Sequence, residues 1–280
     1  MIAMFFGQYL LSKGVIDKTA LIDAIESQRS TNLTLPEFAA REGILEPHQA
    51  EAILARYRTS DASLWELCLR AGLTPEQLEE LTRIQRSGWV RIGTALVDRG
   101  HLTMEEVEEH LAEFRELERE ADQHLEGRFL GCREPEIVKT CVELSLFHLG
   151  RLADRPAKLR ALEEDHGEIV GDRRRYAQKL VGDRDMYVAL DLPSDLASTM
   201  AQEMVGIPLE EGSEAAIDAM CEVVNVIGGN ACTRLEAEGI RLRPEPPFSS
   251  SAADAPFPGV SAIRASILAG DAELDVLVFV

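Results

Sequence analysis

The first 115 residues contain a repeat in which each copy carries one glycine. The glycines lie 29, 29 and 28 residues apart, at Gly14, Gly43, Gly72 and Gly100. Each follows an apolar run and precedes an amphipathic run, the order expected of a helix that ends at a glycine and is followed by a turn and a second helix. Because one such hairpin cannot bury its apolar face alone, we expect the four hairpins to stack on one another as an all-α array.

Residues that begin helices follow each of these glycines. Thr74 and Thr103 each lie three residues before a Gln or Glu, the spacing of a capping box. Asp17 and Glu46 occupy the same turn in the first two copies. These positions predict the start of the second helix in every repeat.

Charge and cysteine content exclude several classes of partner. The formal net charge of the 280 residues is −20, which opposes binding to DNA, RNA or anionic lipid. No apolar run approaches a membrane span, and the N-terminus lacks the features of a signal peptide. The five cysteines are scattered, without a Cys-x-x-Cys pair, so we expect a cytoplasmic protein whose cysteines pack as small core residues.

The composition changes after the repeats, which predicts three parts. Residues 1–115 hold the repeats, residues 116–130 are charged and are expected to form a linker helix, and residues 131–280 form a second domain. That domain has helical patterns followed by alternating segments rich in β-branched residues. Its predicted class is α+β, with a sheet packed against two long helices.

The elements of the second domain can be placed on the sequence. Residues 158–175 are expected to be a charged connection. The predicted helices are 135–153, 194–206 and 213–239, and the predicted strand segments are 185–193, 240–249, 260–269 and 272–280.

The predicted helix 213–239 carries an unusual polar stripe. When it is wound at 100° per residue, an apolar stripe forms from Ile217, Met220, Val224, Ile227, Ala231 and Leu235. Asp218, Glu222, Asn225 and Gly229 fall together on the opposite side. Two adjacent glycines, Gly228 and Gly229, weaken a helix by about 1 kcal/mol each relative to alanine. A helix that keeps them often needs close approach of another backbone, from the sheet or from a partner.

The same stripe has the spacing of a known family signature. Asp218, Glu222 and Asn225 are followed, after twenty-one residues, by Pro247. This pattern resembles that of the CheC/CheX/FliY chemotaxis phosphatases, and its surroundings are most similar to CheX. The resemblance covers roughly residues 130–280, so it implies a CheX-like fold for the second domain.

The resemblance implies hydrolysis of the aspartyl phosphate of a CheY-type response regulator receiver domain, in chemotaxis or related two-component signalling. Asn225 would position the attacking water, and Glu222 would dock onto a cation of the receiver. Asp218 and Gly229 would support the site. Pro247 would have a structural role and would take no part in the reaction. The alternative is a non-catalytic adaptor that uses the same fold to bind a receiver or a second copy of itself.

The resemblance also implies partners and cofactors. The E-x-x-N pattern occurs once, which predicts one site per chain, and CheX-like proteins are commonly homodimers. The Mg²⁺ of the reaction would be supplied by the receiver, because this sequence has no metal-ligand spacing of its own. The basic cluster Arg173–Arg175 has two interpretations, a solvated turn or strand start, or a contact with an acidic receiver surface.

The first and fourth repeats resemble halves of the MshEN-type module found in secretion and pilus ATPases, which can bind cyclic di-GMP. The matching residues are Gly7, Gln8 and Gln28 in the first copy and Arg91, Ile92 and Gly93 in the fourth. The departures are Phe5 and Phe6, at the Arg and Leu positions, and Phe114, where a Gln is expected. Two hypotheses follow: a domain that binds cyclic di-GMP and regulates the phosphatase, or an interaction platform of stacked repeats.

Overall fold

A computed structural model describes residues 4–58, 60, 62–152, 157–169, 171–251, 261–269 and 272–280. The chain divides into two compact units. Among the described residues, the first unit contains 4–121 and the second unit contains 122–280. The expected fold class is confirmed in its main terms, since the first unit is helical and the second is α+β with an antiparallel sheet.

The part of the first unit that the structure describes is built from four pairs of helices. Each pair has a seven-residue helix followed by a longer one. The pairs are α1 (Phe6–Ser12) with α2 (Lys18–Thr31), α3 (Leu35–Arg41) with α4 (Pro47–Arg58), α5 (Leu64–Arg70) with α6 (Pro75–Ser87), and α7 (Ile92–Asp98) with α8 (Met104–Gly131). The predicted linker, residues 116–130, lies inside α8 and has no break of its own.

The repeat glycines end the short helices in the way that the C-cap interpretation requires. Their φ angles are 69°, 72°, 102° and 75° in chain order, all in the left-handed region that favours glycine. The long helices begin at the expected caps. The Asp17 carboxylate accepts from the Ala20 N–H at 2.8 Å, and Thr74 and Gln77 form a reciprocal capping box.

The hydrophobic cores of the first unit do not follow chain order. One core joins the first and fourth repeats, and a second joins the second and third. Gly7 and Gly93 allow close packing both within and between these repeats. A Cβ on Gly7 would lie 2.6 Å from Leu21 of its own repeat and 3.6 Å from Ile92 of the fourth, and a Cβ on Gly93 would lie 2.7 Å from Val107 of its own repeat and 3.7 Å from Phe6 of the first. The repeats are therefore nested in pairs, an arrangement that the expectation of four stacked hairpins did not specify.

In its described residues the second unit has one sheet and three helices besides the end of α8. The helices are α9 (Pro135–Leu152), α10 (Ser194–Val205) and α11 (Glu214–Ala237). The strands are β1 (Ala157–Asp165), β2 (Arg173–Gly182), β3 (Met186–Pro193), β4 (Leu242–Pro244), β5 (Phe248–Ser250), β6 (Ala262–Ala269) and β7 (Ala272–Phe279). Their order is β1-β6-β7-β3-β2-β4, with β5 also paired to β2, and all pairs are antiparallel.

The prediction of a charged connection over residues 158–175 is wrong, since β1 and the start of β2 lie there. The reason is the position of β1 at the edge of the sheet. Edge strands commonly carry charged residues that discourage pairing with other chains, and β1 has Leu162 as its one fully buried residue. The alternation that identifies a half-buried strand is therefore weak.

One face of the sheet carries the main core of the unit. The two long helices α9 and α11 pack on it, as predicted, and the shorter α10 packs beside them. The inward residues of β2, Tyr176, Gln178 and Leu180, are all buried under α11. A glutamine thus occupies a position of this strand where an apolar residue is normal.

Candidate functional site

The candidate site is the polar stripe of α11, which the sequence places correctly on the helix. Ser213 caps the helix by accepting from the Ala216 N–H at 3.3 Å. Most of the predicted apolar stripe is buried: Met220, Val224, Ile227, Ala231 and Leu235 are each 0% exposed. Ile217 is partly buried at the border of the core. Burial of this face directs the opposite face of α11 outward.

The motif residues lie on that outward face. Asp218 and Glu222 are exposed, and Asn225 is half-buried. The Asn225 Nδ2 group donates to Glu222 Oε2 at 3.3 Å. The stripe therefore brings a carboxylate and an amide into contact on an accessible surface. The carboxylate can pair with a cation, and the amide beside it can orient a small polar molecule.

The cysteine beside this stripe is held in its neutral thiol form. Burial, with a smaller effect of the Asp218 carboxylate, raises the pKa of the Cys221 thiol to about 11. Burial also raises the pKa of Cys232. Both thiols are protonated at neutral pH, so the site offers an amide and carboxylates for chemistry rather than a thiolate.

Sequence reasoning missed Gln178, which joins the site from the core. Its Nε2 donates to Asn225 Oδ1 at 2.7 Å and to the backbone carbonyl of Glu245 at 2.8 Å. Gln178 is 0% exposed, and its Oε1 is buried without a hydrogen-bond partner among the described residues. The one available signal was its alternation with Tyr176 and Leu180, which puts a polar side chain on the core face of β2.

The two glycines of α11 have different surroundings. A Cβ on Gly228 would clash with Gln178 Oε1 and lie 3.1 Å from Gln178 Cδ and 3.3 Å from Leu180 Cδ2. A Cβ on Gly229 would meet nothing within 4 Å. Close approach to the sheet thus occurs at Gly228, while Gly229 lies on the open side, where its supporting role stays a prediction.

Pro247 ends a short segment that crosses beside α11. The segment consists of residues 245–247 between β4 and β5, and the carbonyl of Glu245 within it accepts from the amide of Gln178. Pro247 is half-buried. The position is compatible with the structural role that the resemblance implies.

The basic cluster Arg173–Arg175 begins β2, as one of its two interpretations predicted. Arg175 lies on the sheet face opposite α11, where it is 1% exposed and forms a bidentate ion pair with Asp191 at 2.7 Å. Arg173 pairs with Asp275 at 2.6 Å. Because Arg175 is buried and paired with Asp191, the alternative of a receiver contact does not apply to it.

The residues that suggested a nucleotide site lie in the paired repeats of the first unit. The Gln28 Nε2 group donates to the Val90 carbonyl at 3.0 Å. Phe114 is buried, with its ring centroid 5.4 Å from that of Phe6. These contacts give Gln28 and Phe114 roles in packing, and binding of cyclic di-GMP stays a prediction.

Comparison with known proteins identifies the second unit more closely. The family model described as chemotaxis phosphatase CheX matches residues 177–258. The matched range contains Gln178, the whole of α11 and Pro247. The CheX-like character expected of the C-terminal part is thereby confirmed, while the resemblance of the repeats to MshEN modules is not shown. No curated protein sequence matches the chain.

Several solved structures are similar to half of the chain. Chemotaxis protein CheX from Vibrio vulnificus has 18% identity and a TM-score of 0.45, over 51% of this chain and 98% of that chain. The CheX–CheY–BeF₃–Mg²⁺ complex from Borrelia burgdorferi has 14% identity and a TM-score of 0.43, over 51% and 96%. Thermotoga maritima FliY has 18% identity and a TM-score of 0.41, over 51% and 85%. At these values the functional assignment depends on the family model and on the site residues.

Of the helices in the described ranges, none has the length and apolar character that crossing a membrane requires. In the same ranges, no three His, Cys, Asp or Glu side chains are grouped so that they could hold a metal ion.

Proposed function

We propose that the second unit hydrolyses the aspartyl phosphate of a CheY-type receiver domain. The observation that carries the proposal is the contact between Glu222 and Asn225 on the exposed face of α11, inside the range matched by the chemotaxis phosphatase family. The motif spacing alone would fit a solvated helix face. Its combination with an anchored amide and a family match favours a site.

The chemistry of the substrate suits this small set of residues. An acyl phosphate is already a reactive electrophile, so a water molecule attacking in line is sufficient and no protein nucleophile is required. An amide side chain has two N–H donors and two acceptor lone pairs, and the bonds described above use one of each. Asn225 can therefore hold and orient a water molecule, and its contribution is positional.

Glu222 acts in docking rather than in bond breaking. Its carboxylate is exposed one helical turn before Asn225, where it can pair with a cation beside the phosphorylation site of the receiver. The chain as a whole carries a net charge of −20, so long-range attraction does not bring an acidic partner to it. Recognition thus depends on local pairs such as this one.

Mg²⁺ would be held by the receiver and would neutralise the phosphate charge. This chain contributes the water-orienting amide and the docking carboxylate. We also propose that the protein is a cytoplasmic homodimer and that its helical unit has a regulatory or targeting role.

Decay of the phosphorylated receiver tests the function. Each CheY-type receiver of the same cell is phosphorylated with a small phosphodonor in Mg²⁺, and phosphate release is followed with and without the full chain. Accelerated decay is expected for at least one receiver. Binding without acceleration would instead identify the adaptor, and neither binding nor acceleration with any receiver would contradict both.

Substitution of Glu222 separates docking from chemistry. Glu222→Gln removes the charge and keeps the shape, and it should weaken receiver binding on the order of tenfold while the rate at saturation stays within about twofold. A large loss of the saturated rate with unchanged affinity would contradict the docking role.

A further inference from the structure

The amide of Gln178 links Asn225 to the backbone of a separate segment. Its Nε2 donates to Asn225 Oδ1 at 2.7 Å and to the Glu245 carbonyl at 2.8 Å. Gln178 is fully buried, so it cannot touch a docked receiver. Its contacts nevertheless lead directly to the residue that would face the substrate.

The Glu245 carbonyl sets the orientation of both amides. A carbonyl oxygen only accepts hydrogen bonds, so the NH₂ end of Gln178 must face it. The second N–H of the same group points at Asn225, which must accept this hydrogen bond through Oδ1, so Nδ2 cannot lie there. The Nδ2 group of Asn225 is then directed to Glu222, at 3.3 Å. The usual two-fold ambiguity of an amide side chain is removed at both residues.

The Glu245 carbonyl is itself held in place. The Glu245 N–H donates to the Lys179 carbonyl at 2.8 Å, which extends the pairing of β2 with β4. Pro244 and Pro246 flank Glu245, and a residue before proline is restricted to extended backbone. We call the hydrogen bonds from the Glu245 carbonyl through Gln178 and Asn225 to Glu222 the relay. The acceptor at its base is fixed by backbone geometry.

The helix side of the relay is fixed by a missing side chain. Gln178 lies against Gly228, where any Cβ would clash with its Oε1. Gly228 is buried, and it lies one turn after Asn225 on α11. The glycine thus allows the amide to reach across from β2 to Asn225.

We propose that Gln178 is a positioning residue that holds the Asn225 amide in one rotamer and one orientation before a receiver docks. This inference rests on the proposed phosphatase function and names what prepares its water-orienting group. A surface asparagine without such a partner samples several rotamers. With Gln178 in place, the donor and acceptor directions that Asn225 offers to a water molecule are already set.

Gln178→Met tests the relay because methionine keeps the length and apolar volume of the side chain and removes both donors. We expect the rate of receiver dephosphorylation at saturation to fall ~10–100-fold, the order of loss that follows misplacement of a catalytic group. Receiver affinity should stay within about twofold, because Gln178 is buried away from the docking face.

A stability control uses a buried residue far from the relay. Ile267→Val changes β6, which β7 and β3 separate from β2, and it should lower the melting temperature without changing the saturated rate. Loss of activity in Gln178→Met together with the same loss in Ile267→Val would contradict a specific role for Gln178.

The pH profile gives a readout of the hydrogen bond itself, recorded over the pH range in which the variant stays folded. In Gln178→Glu, the buried carboxyl faces two acceptors and can donate only when it is protonated. The saturated rate of this variant should fall as pH rises, whereas the wild-type protein and Gln178→Met should lack that step. A Gln178→Glu profile parallel to that of Gln178→Met would contradict the relay.

Nuclear magnetic resonance separates failure of the relay from failure of the function. Side-chain couplings of Asn225, assigned by comparison with Asn225→Ala, should report one χ1 rotamer in the wild-type full chain and averaging in Gln178→Met. Rotamer averaging in the wild type would overturn the positioning role. If Asn225 is held in one rotamer but no receiver is dephosphorylated, the proposed function is overturned, and with it the catalytic meaning of the relay.

Discussion

Gly228→Ala and Gly229→Ala should have opposite effects on the stability of the second unit. The two glycines are neighbours in α11 with the same local gain from substitution, since alanine favours a helix by about 1 kcal/mol over glycine. They differ in what a Cβ meets. At Gly229 it meets open space, and at Gly228 it meets the amide of Gln178.

The size of the difference follows from these contacts. To admit a Cβ at Gly228, Gln178 must move and give up two hydrogen bonds, each of which contributes about 0.5–1.5 kcal/mol net. Strain against Leu180 adds to this loss. After the helix gain is subtracted, Gly228→Ala should destabilise by about 2 kcal/mol, while Gly229→Ala should stabilise by up to about 1 kcal/mol.

The assay can distinguish the two units without separating them. Both tryptophans, Trp65 and Trp89, lie in the helical unit, so tryptophan fluorescence reports on that unit alone. Far-ultraviolet circular dichroism reports on both. We expect the transition of the second unit to shift by ~4–8 °C downward in Gly228→Ala and ~2–4 °C upward in Gly229→Ala, with the fluorescence transition unchanged.

Two outcomes would refute this account of the site. Equal stabilisation by both substitutions would mean that Gln178 does not press against α11. Destabilisation by Gly229→Ala comparable to that of Gly228→Ala would mean that the outward side of α11 is packed, contrary to the open space found there.

Two further predictions concern charged groups away from the site. Arg175→Leu leaves the Asp191 carboxylate buried without its bidentate partner and should cost about 3–5 kcal/mol in urea denaturation, whereas the double variant with Asp191→Leu should recover most of that loss; a milder single variant would argue against a buried pair. Hydrogen bonds from Arg99 and then His101 lower the pKa of Asp23 to about 2. A carboxyl with a depressed pKa stabilises above its unfolded pKa of about 3.9, so the advantage of the wild type over Asp23→Asn should be present at pH 6 and fall steeply between pH 4 and 2; a gap as large at pH 2 as at pH 6 would contradict the pairing.

Local features of the fold were predictable from the sequence. A glycine at a helix C-cap depends on a few adjacent residues, so the turns at Gly14 and Gly72 could be placed without knowledge of the fold. The same holds for α11, whose apolar period is long and regular. The nested pairing of the repeats was not predictable, because contacts across the array depend on residues such as Gly7 and Gly93 that are far apart in the chain.

The polar stripe of α11 was predictable, but its anchor was not. Asp218, Glu222 and Asn225 lie close in sequence, so helical winding alone brings them together. Gln178 reaches Asn225 only through the register of β2 under α11, across 47 residues of sequence. Local sequence patterns do not predict that contact, because a glutamine in a strand can bond to many different side chains across the core.

Single-turnover decay of a phosphorylated receiver, with wild-type chain and with Asn225→Ala in excess, tests the central claim most directly. The account predicts that the wild type accelerates decay and that Asn225→Ala binds the receiver with similar affinity but loses the acceleration by about 100-fold or more. An Asn225→Ala chain that accelerates decay as well as the wild type would show that this asparagine does not orient the attacking water.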